Sequence, residues 1–240
     1  MGTLQQWWGH CVISMIIIFI NDQILNKHKE CEQVVFIKGW SDNVMFIEMA
    51  GGEFCGNAIR SVMCYLNLTQ GKTRAQIKYI NYPLVVDCEC SGSNCSFTAN
   101  VNELVKRVVK IGNGFNKVEM EGITHYVIQP DSQYFQNRHS ANKTKKLINM
   151  LIGNAPSVGI MYLENFKLIA YVYVKGVNTL YRETACGSGT IACSILFKDM
   201  KKINIDQPSG QSLNVRFNQE KLTLSGNCEM LLKDFLIMEE

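Results

Sequence analysis

A chain of 240 residues with 47% apolar and 19% charged side chains can bury a sizeable core, in one large domain or two of ordinary size. Its 24 Lys and Arg against 21 Asp and Glu leave a formal charge of +3, with basic residues dispersed apart from Lys143-Thr144-Lys145-Lys146, which gives no support to nucleic-acid binding. The apolar run Val12 to Ile20 is shorter than the roughly 20 residues a membrane span needs and lacks the basic flank and cleavage site of a leader. A cytoplasmic chain with no membrane partner, its ten cysteines reduced, is therefore expected.

In chain order, Val12 to Ile20 reads as a buried strand, Asn21-Asp22-Gln23 as a turn or cap, and the residues to Glu30 as a polar stretch. Cys31-Glu32-Gln33-Val34-Val35-Phe36-Ile37 predicts a strand with polar and reactive side chains at its leading end, where Glu32 fits a cleft and equally fits a surface. A turn at Gly39 to Asn43 delivers a second strand, Val44 to Met49. Gly51-Gly52-Glu53-Phe54-Cys55-Gly56-Asn57-Ala58 then opens a helix in which Ile59, Val62, Met63 and Leu66 recur at helical spacing and Asn67 and Gly71 mark the end. Arg60 is the single charge among its first ten residues, as expected of a helix wrapped by sheet.

Short strands follow at Gln76 to Ile80, Leu84 to Val86, Ser96 to Ala99 and Val105 to Ile111, before Gly112-Asn113-Gly114, which reads as a domain boundary. Cys88, Cys90 and Cys95 offer three ligands without an evident fourth, so the alternating Val85 to Cys90 reads as a strand and no metal site is expected. Strands at His125 to Ile128, Ser157 to Leu163 and Leu168 to Val174 follow, with a polar-faced helix within Ser132 to Leu151. After Thr179-Leu180-Tyr181, the element Thr184-Ala185-Cys186-Gly187-Ser188-Gly189-Thr190 opens an apolar helix from Thr190 to Phe197. Asn204 to Asp206, Leu213 to Phe217 and Leu222 to Leu224 are further strands, ahead of a terminal Met230 to Met238 run. Each half is thus a set of strands around one apolar helix whose N-terminus bears a cysteine, an internal repeat that divides the chain into residues 1–111 with Cys55 and 112–229 with Cys186.

A cysteine at a helix start sits beside unpaired amides and the positive dipole end, which lower a thiol's pKa and seat a carboxylate. Two such starts facing one another would place a thiol on either side of one anion seat, the arrangement for moving a proton between the faces of a carbon acid. The developing enolate would be met by backbone donors in a dry cleft, without pyridoxal or metal. Three other readings stand beside this one: buried structural cysteines, a redox dithiol, and a non-catalytic amino-acid-binding module. Redox partners usually lie close in sequence, whereas these cysteines lie in different halves.

The Glu-x-Cys-Gly-Asn-Ala and Ala-Cys-Gly-Ser-Gly-Thr elements resemble the signature motifs of diaminopimelate epimerases and related pyridoxal-independent racemases. Within that superfamily the sequence is most similar to the histidine racemases of opine-type metallophore pathways, through Cys31-Glu32-Gln33-Val34-x-Phe36-Ile37, Gly52 to Ala58, His125-Tyr126-Val127-Ile128, Cys186 to Thr190 and Gln207-Pro208-x-Gly210. The resemblance implies an α/β (α+β) fold of two similar domains, each a curved, mostly antiparallel sheet wrapped around a central helix, with the cleft between them and the last strand, 230–240, returning to the first domain. It also implies a cofactor-free two-base racemase acting on a small amino acid, and a homodimer. Carried over by motif, Cys55 and Cys186 form the thiolate and thiol pair. The amides of Gly56-Asn57 and Gly187-Ser188, with Gly189 beside them, hold the substrate carboxylate. Glu32 meets the substrate side chain, Gln33 neighbours it in the cleft, and His125 lies near the cysteines.

Two departures bear on the substrate. Where diaminopimelate epimerases carry an Asn on the first strand, alignment would place Ser14. Their Glu-Arg-Gly-x-Gly-Glu-Thr loop, which grips the distal end of the substrate, is shortened here to Tyr181-Arg182-Glu183-Thr184. Trp7-Trp8-Gly9-His10 match nothing in the family. Histidine is the substrate favoured, with diaminopimelate or another amino acid as the alternative.

Overall fold

The computed structural model describes residues 20–28 and 31–229. The strand expected at Val12 to Ile20 falls outside them except for its last residue, as do Ser14, Trp7 to His10 and the Met230 to Met238 run. Residues 20–27 are helical (α1) where a turn was predicted. The less exposed positions 20, 21, 24, 25 and 28 recur every three to four residues, so the polar Asn21-Asp22-Gln23 triplet spans a helical face rather than breaking it.

Residues 31–34 lie outside any strand, although the Val34 carbonyl accepts from the Ala50 amide, and the first strand starts only at Val35: β1 (Val35–Ser41) pairs antiparallel with β2 (Val44–Met49). Asp42 and Asn43 make that turn with φ of 50° and 66°, a conformation that Asp and Asn adopt more readily than other side chains. Helix α2 (Gly56–Gln70) has Cys55 as its N-cap and ends on Gly71 at φ 66°. It leads to β3 (Arg74–Tyr79), parallel to β2, and then to the hairpin of β4 (Val85–Ser91) and β5 (Asn94–Asn100).

A single helical turn, α3 (Val101–Leu104), precedes the meander β6 (Val105–Gly112), β7 (Phe115–Met120) and β8 (Ile123–Ile128). Strand β7 was not anticipated, because Gly112-Asn113-Gly114 was read as a boundary when Asn113-Gly114 is a hairpin turn. The helix expected within Ser132 to Leu151 is confined to α4 (Ala141–Leu151), capped by Ser140. Then come β9 (Ser157–Glu164), parallel to β8, β10 (Lys167–Val174) and β11 (Thr179–Glu183). Helix α5 (Gly187–Ser194) starts three residues before the predicted Thr190, and β12 (Lys202–Asp206), β13 (Ser212–Asn218) and β14 (Lys221–Asn227) close the described chain.

These strands form one sheet in the order β1-β2-β3-β4-β5-β14-β13-β12-β10-β9-β8-β7-β6, with β11 beside β10, so the fold is mixed α+β. The antiparallel pair β5 and β14 joins β1–β5 to the remaining strands. Ile59, Val62, Met63 and Leu66 of α2 are all buried against β3, β4 and β5. Every residue of α5 is buried, as befits a helix without a polar face. A second core packs α4 on the sheet through Leu147, Ile148, Ile160, Tyr162 and Tyr171.

One expectation is overturned here. Cys90 and Cys95 are disulfide-bonded rather than reduced, because the β4–β5 register sets them directly opposite, both buried. The same register takes two of the three sulfurs once weighed as metal ligands.

Candidate active site

The two Cys-Gly elements meet at their glycines. A Cβ on Gly187 would stand 3.0 Å from the Asn57 amide and from the Gly56 carbonyl carbon, and one on Gly56 would stand 3.2 Å from the Gly187 carbonyl carbon. The starts of α2 and α5 therefore abut at a distance that only glycine permits. Asn57 locks the contact, its side-chain amide donating to the Ala185 carbonyl at 2.8 Å. Arg60, buried one turn along, donates to Asn57 Oδ1 at 3.2 Å, to the Cys95 carbonyl and to the Asn227 carbonyl, fixing the start of α2 to β5 and the end of β14.

Each cysteine caps its own helix: the Ala58 amide donates to Cys55 Sγ at 3.4 Å and the Gly189 amide to Cys186 Sγ at 3.3 Å. Their backbones are held as well. Tyr79 Oη accepts from the Cys55 amide and donates to the Cys55 carbonyl, while Gln207 Oε1 accepts from the Cys186 amide and Gln207 Nε2 donates to Thr190 Oγ1 and to the Ile205 carbonyl.

A chain of polar side chains runs from one thiol to the other. Cys55 Sγ donates to Gln33 Oε1 at 2.9 Å, and Gln33 Nε2 donates to Glu183 Oε1 at 3.2 Å. Glu183 in turn lies near enough to Cys186 for its negative charge to hold that thiol protonated. Glu32 stands at the edge, accepting the Thr184 amide at 2.9 Å. Glu183 went unrecognised in the sequence because Tyr181 to Thr184 read as a truncated loop. The available signal was the alternation of Thr179, Tyr181 and Glu183, which sends the acid to one face of β11.

Electrostatics correct a further expectation. Helix starts were expected to lower the thiol pKa values, yet both are pushed up, first by burial and then by the negative charge of Glu183. The capping amides oppose this without overcoming it. The Glu183 carboxyl is itself pushed up to about 8, by burial and by the charges of Glu32 and Glu53, with the Cys186 side chain opposing. The resting site thus favours two thiols beside an acid able to exchange a proton near neutrality.

His125 is fully buried in β8 opposite Gly159, where a Cβ would stand 2.2 Å from its Nδ1 and 2.7 Å from Met161 Cε. Met161 Sδ in turn lies 2.2 Å from the place of a Cβ on Gly189, which would also be 2.9 Å from Cys186 Sγ. The histidine is thus separated from Cys186 by the Met161 thioether, with neither ring nitrogen hydrogen-bonded and its pKa lowered by burial to about 3. The Ser188 hydroxyl sits 3.8 Å from Cys186 Sγ. Cys64 and Cys193, on the buried faces of α2 and α5, belong to the core.

Residues 17–227 match the family described as the histidine racemase CntK N-terminal domain. A histidine racemase of Fusobacterium nucleatum subsp. nucleatum is 27% identical over 221 residues, covering 83% of this chain and 79% of that protein. The histidine racemase of Staphylococcus aureus is 24% identical over 210 residues, covering 80% and 77%. Among solved structures, a phenazine biosynthesis PhzC/PhzF protein of Clostridium difficile superposes with a TM-score of 0.58 at 8% identity, covering 99% of this chain and 90% of that one. A predicted epimerase of Pseudomonas aeruginosa gives 0.57 at 10% identity, covering 86% and 84%. At such identities the two structures speak for the fold alone.

Proposed function

Since the chain belongs to the histidine racemase family, we propose that it interconverts L- and D-histidine without a cofactor, by proton transfer at the α-carbon between Cys55 and Cys186. The observation that carries this reading is the pair of capped thiols at abutting helix starts, joined through Gln33 and Glu183. The amides of Gly56, Asn57, Gly187 and Ser188 supply the seat for the substrate carboxylate and for the charge it gains as an enolate.

Glu183 takes the Cys186 proton, leaving a thiolate. That thiolate removes the α-proton of whichever enantiomer presents it, and the Cys55 thiol protonates the opposite face. The cycle ends with Cys186 protonated, Cys55 as thiolate and Glu183 as acid, a state ready for the reverse reaction. Proton exchange with water on product release returns it to the start. Because two buried thiols and a carboxyl share these protons, they titrate as a unit.

The test is incubation with L-histidine in deuterated water, with a chelator and without pyridoxal phosphate, followed by chiral chromatography and mass spectrometry. Deuterium at the α-carbon of both enantiomers is expected. Exchange on diaminopimelate but not on histidine would overturn the substrate, and unchanged turnover by Glu32→Gln would remove that residue from side-chain recognition. The family resemblance also supports a cytoplasmic homodimer. Light scattering reads the dimer directly. No helix of the described residues is long and apolar enough to cross a membrane.

A further inference from the structure

A second group of thiols lies away from the site, where α2 meets the β4–β5 turn and the end of β14. Arg60 is its centre: 3% exposed, it donates to the Cys95 carbonyl at 3.2 Å and to the Asn227 carbonyl at 2.8 Å, besides Asn57. The ionisable groups whose charge acts on the guanidinium are the thiols of Cys228, Cys55 and Cys64. A buried cation is costly without a counter-charge, and among the described residues sulfurs rather than carboxylates stand ready to supply it.

Cys64 and Cys228 are the pair in this group. Cys64, one helical turn after Arg60, is buried, and its thiol donates to the Cys228 carbonyl at 3.9 Å. Cys228 is half-buried and is the one nearer solvent, with its amide donating to the Ser93 carbonyl at 2.7 Å and so fixing it to the β4–β5 turn. Burial pushes both thiols up, and the Arg60 guanidinium opposes this by favouring the thiolate; on Cys228 the charge of Cys64 adds to burial. Two thiols in contact, beside one fixed cation, are placed for thiol–disulfide chemistry as well as for packing. The same corner already carries a disulfide, since Cys95, whose carbonyl accepts from Arg60, is bonded to Cys90.

We propose that Cys64 and Cys228 form a redox modification site, at which a low-molecular-weight disulfide oxidises the two thiols to a bond that ties the end of β14 to α2. Cys228 reacts first: its sulfur, having lost its proton to water, displaces one half of the small disulfide as a thiolate and becomes a mixed disulfide. Cys64 then loses its proton, attacks the Cys228 sulfur and releases the second half. The two cysteines give up two electrons and two protons, and the small disulfide becomes two thiols. Neither Cys55 nor Cys186 takes part. The new bond spans 164 residues of chain, so it restrains the unfolded chain far more than the short Cys90–Cys95 link does.

Oxidised glutathione is the probe, applied to the folded full-length protein and followed by alkylation and peptide mapping without reduction. Mass spectrometry should find the Cys64 peptide joined to the Cys228 peptide with the loss of two hydrogens. Cys64→Ala should instead trap glutathione on Cys228, and Cys228→Ser should leave Cys64 free for alkylation once the chain is unfolded. Should Cys64→Ala not fold, Cys228→Ser carries the comparison, because that position is half-buried. Full alkylation of both cysteines in the treated wild type, or Cys228 joined to Cys90 or Cys95, overturns the site. The cross-linked protein should also unfold at a higher urea midpoint than Cys228→Ser treated in the same way, and a midpoint no higher would overturn the bond as a restraint on the fold. None of these readouts depends on racemization.

Discussion

Cys55 and Cys186 illustrate how a local rule yields to its surroundings: each accepts a capping amide, yet burial and Glu183 together outweigh the helix start. Cys55→Ser and Cys186→Ser should each keep the cap and abolish racemization, since a hydroxyl is too weak an acid and base for either role; near-normal D-histidine formation by both variants on chiral chromatography would end the two-thiol assignment. Glu183 gives a prediction in pH. Its carboxyl is raised from 4.5 to about 8, so the folded chain retains a proton that the unfolded chain has released, and stability falls as pH rises across that interval. His125, lowered from 6.5 to about 3, acts in the opposite sense, its contribution being complete above 6.5 and lost as pH falls. The window from 6.5 to 8 therefore reports Glu183. Urea denaturation should show wild type losing about 2 kcal/mol between these limits, with a shallower loss in Glu183→Gln. An identical slope in both would remove Glu183 as its cause. The cysteines were legible because a reactive residue beside glycines at a helix start leaves a local pattern. Glu183 stands out through burial and through Gln33, 150 residues away along the chain, which no local pattern announces.

At the scale of elements, the abutting starts of α2 and α5 are set by the absence of two side chains. Gly187→Ala would press a methyl group against Asn57 and Gly56, separating the helix starts and misplacing both thiols. Racemization should fall about tenfold or more, with a stability cost of roughly 1–3 kcal/mol. Gly112→Ala is the control, with nothing within 4 Å of the added carbon, and should stay within about 0.5 kcal/mol of wild type. Activity assays and urea midpoints read both, and wild-type turnover by Gly187→Ala would show that the contact is dispensable. Helix α2 was read nearly whole because periodicity, a start signal and a glycine stop agree. Helix α1 was missed because its polar triplet resembles a turn when the burial of Asn21 is unknown, and β7 because an Asn-Gly hairpin turn resembles a boundary.

For the whole molecule, we infer that the two halves, residues 1–111 and 112–229, each with one cysteine-capped helix and with β6 of the first completing the far edge of the second beside β7, behave as a single cooperative unit. Their sheet is continuous through β5 and β14, where Thr98 and Thr223 hydrogen-bond at 2.8 Å and Phe97 and Leu224 are fully buried in register. One core cluster includes Met63 and Phe97 from the first half and Met161, Ile191 and Leu224 from the second. Leu224 also supports the site, its Cδ2 lying 3.3 Å from the place of a Cβ on Gly56. Cys64 in α2 and Cys193 in α5 are buried reporters, one in each half. Pulsed alkylation along a urea gradient, read by mass spectrometry, should therefore expose both at the same midpoint. Leu224→Ala leaves a cavity at the seam, so both midpoints should drop together by an amount equivalent to about 2–5 kcal/mol, with the steepness unchanged. If Cys64 and Cys193 became reactive at separate midpoints, the halves would be independent folding units, and the site would be assembled by docking rather than by one continuous core.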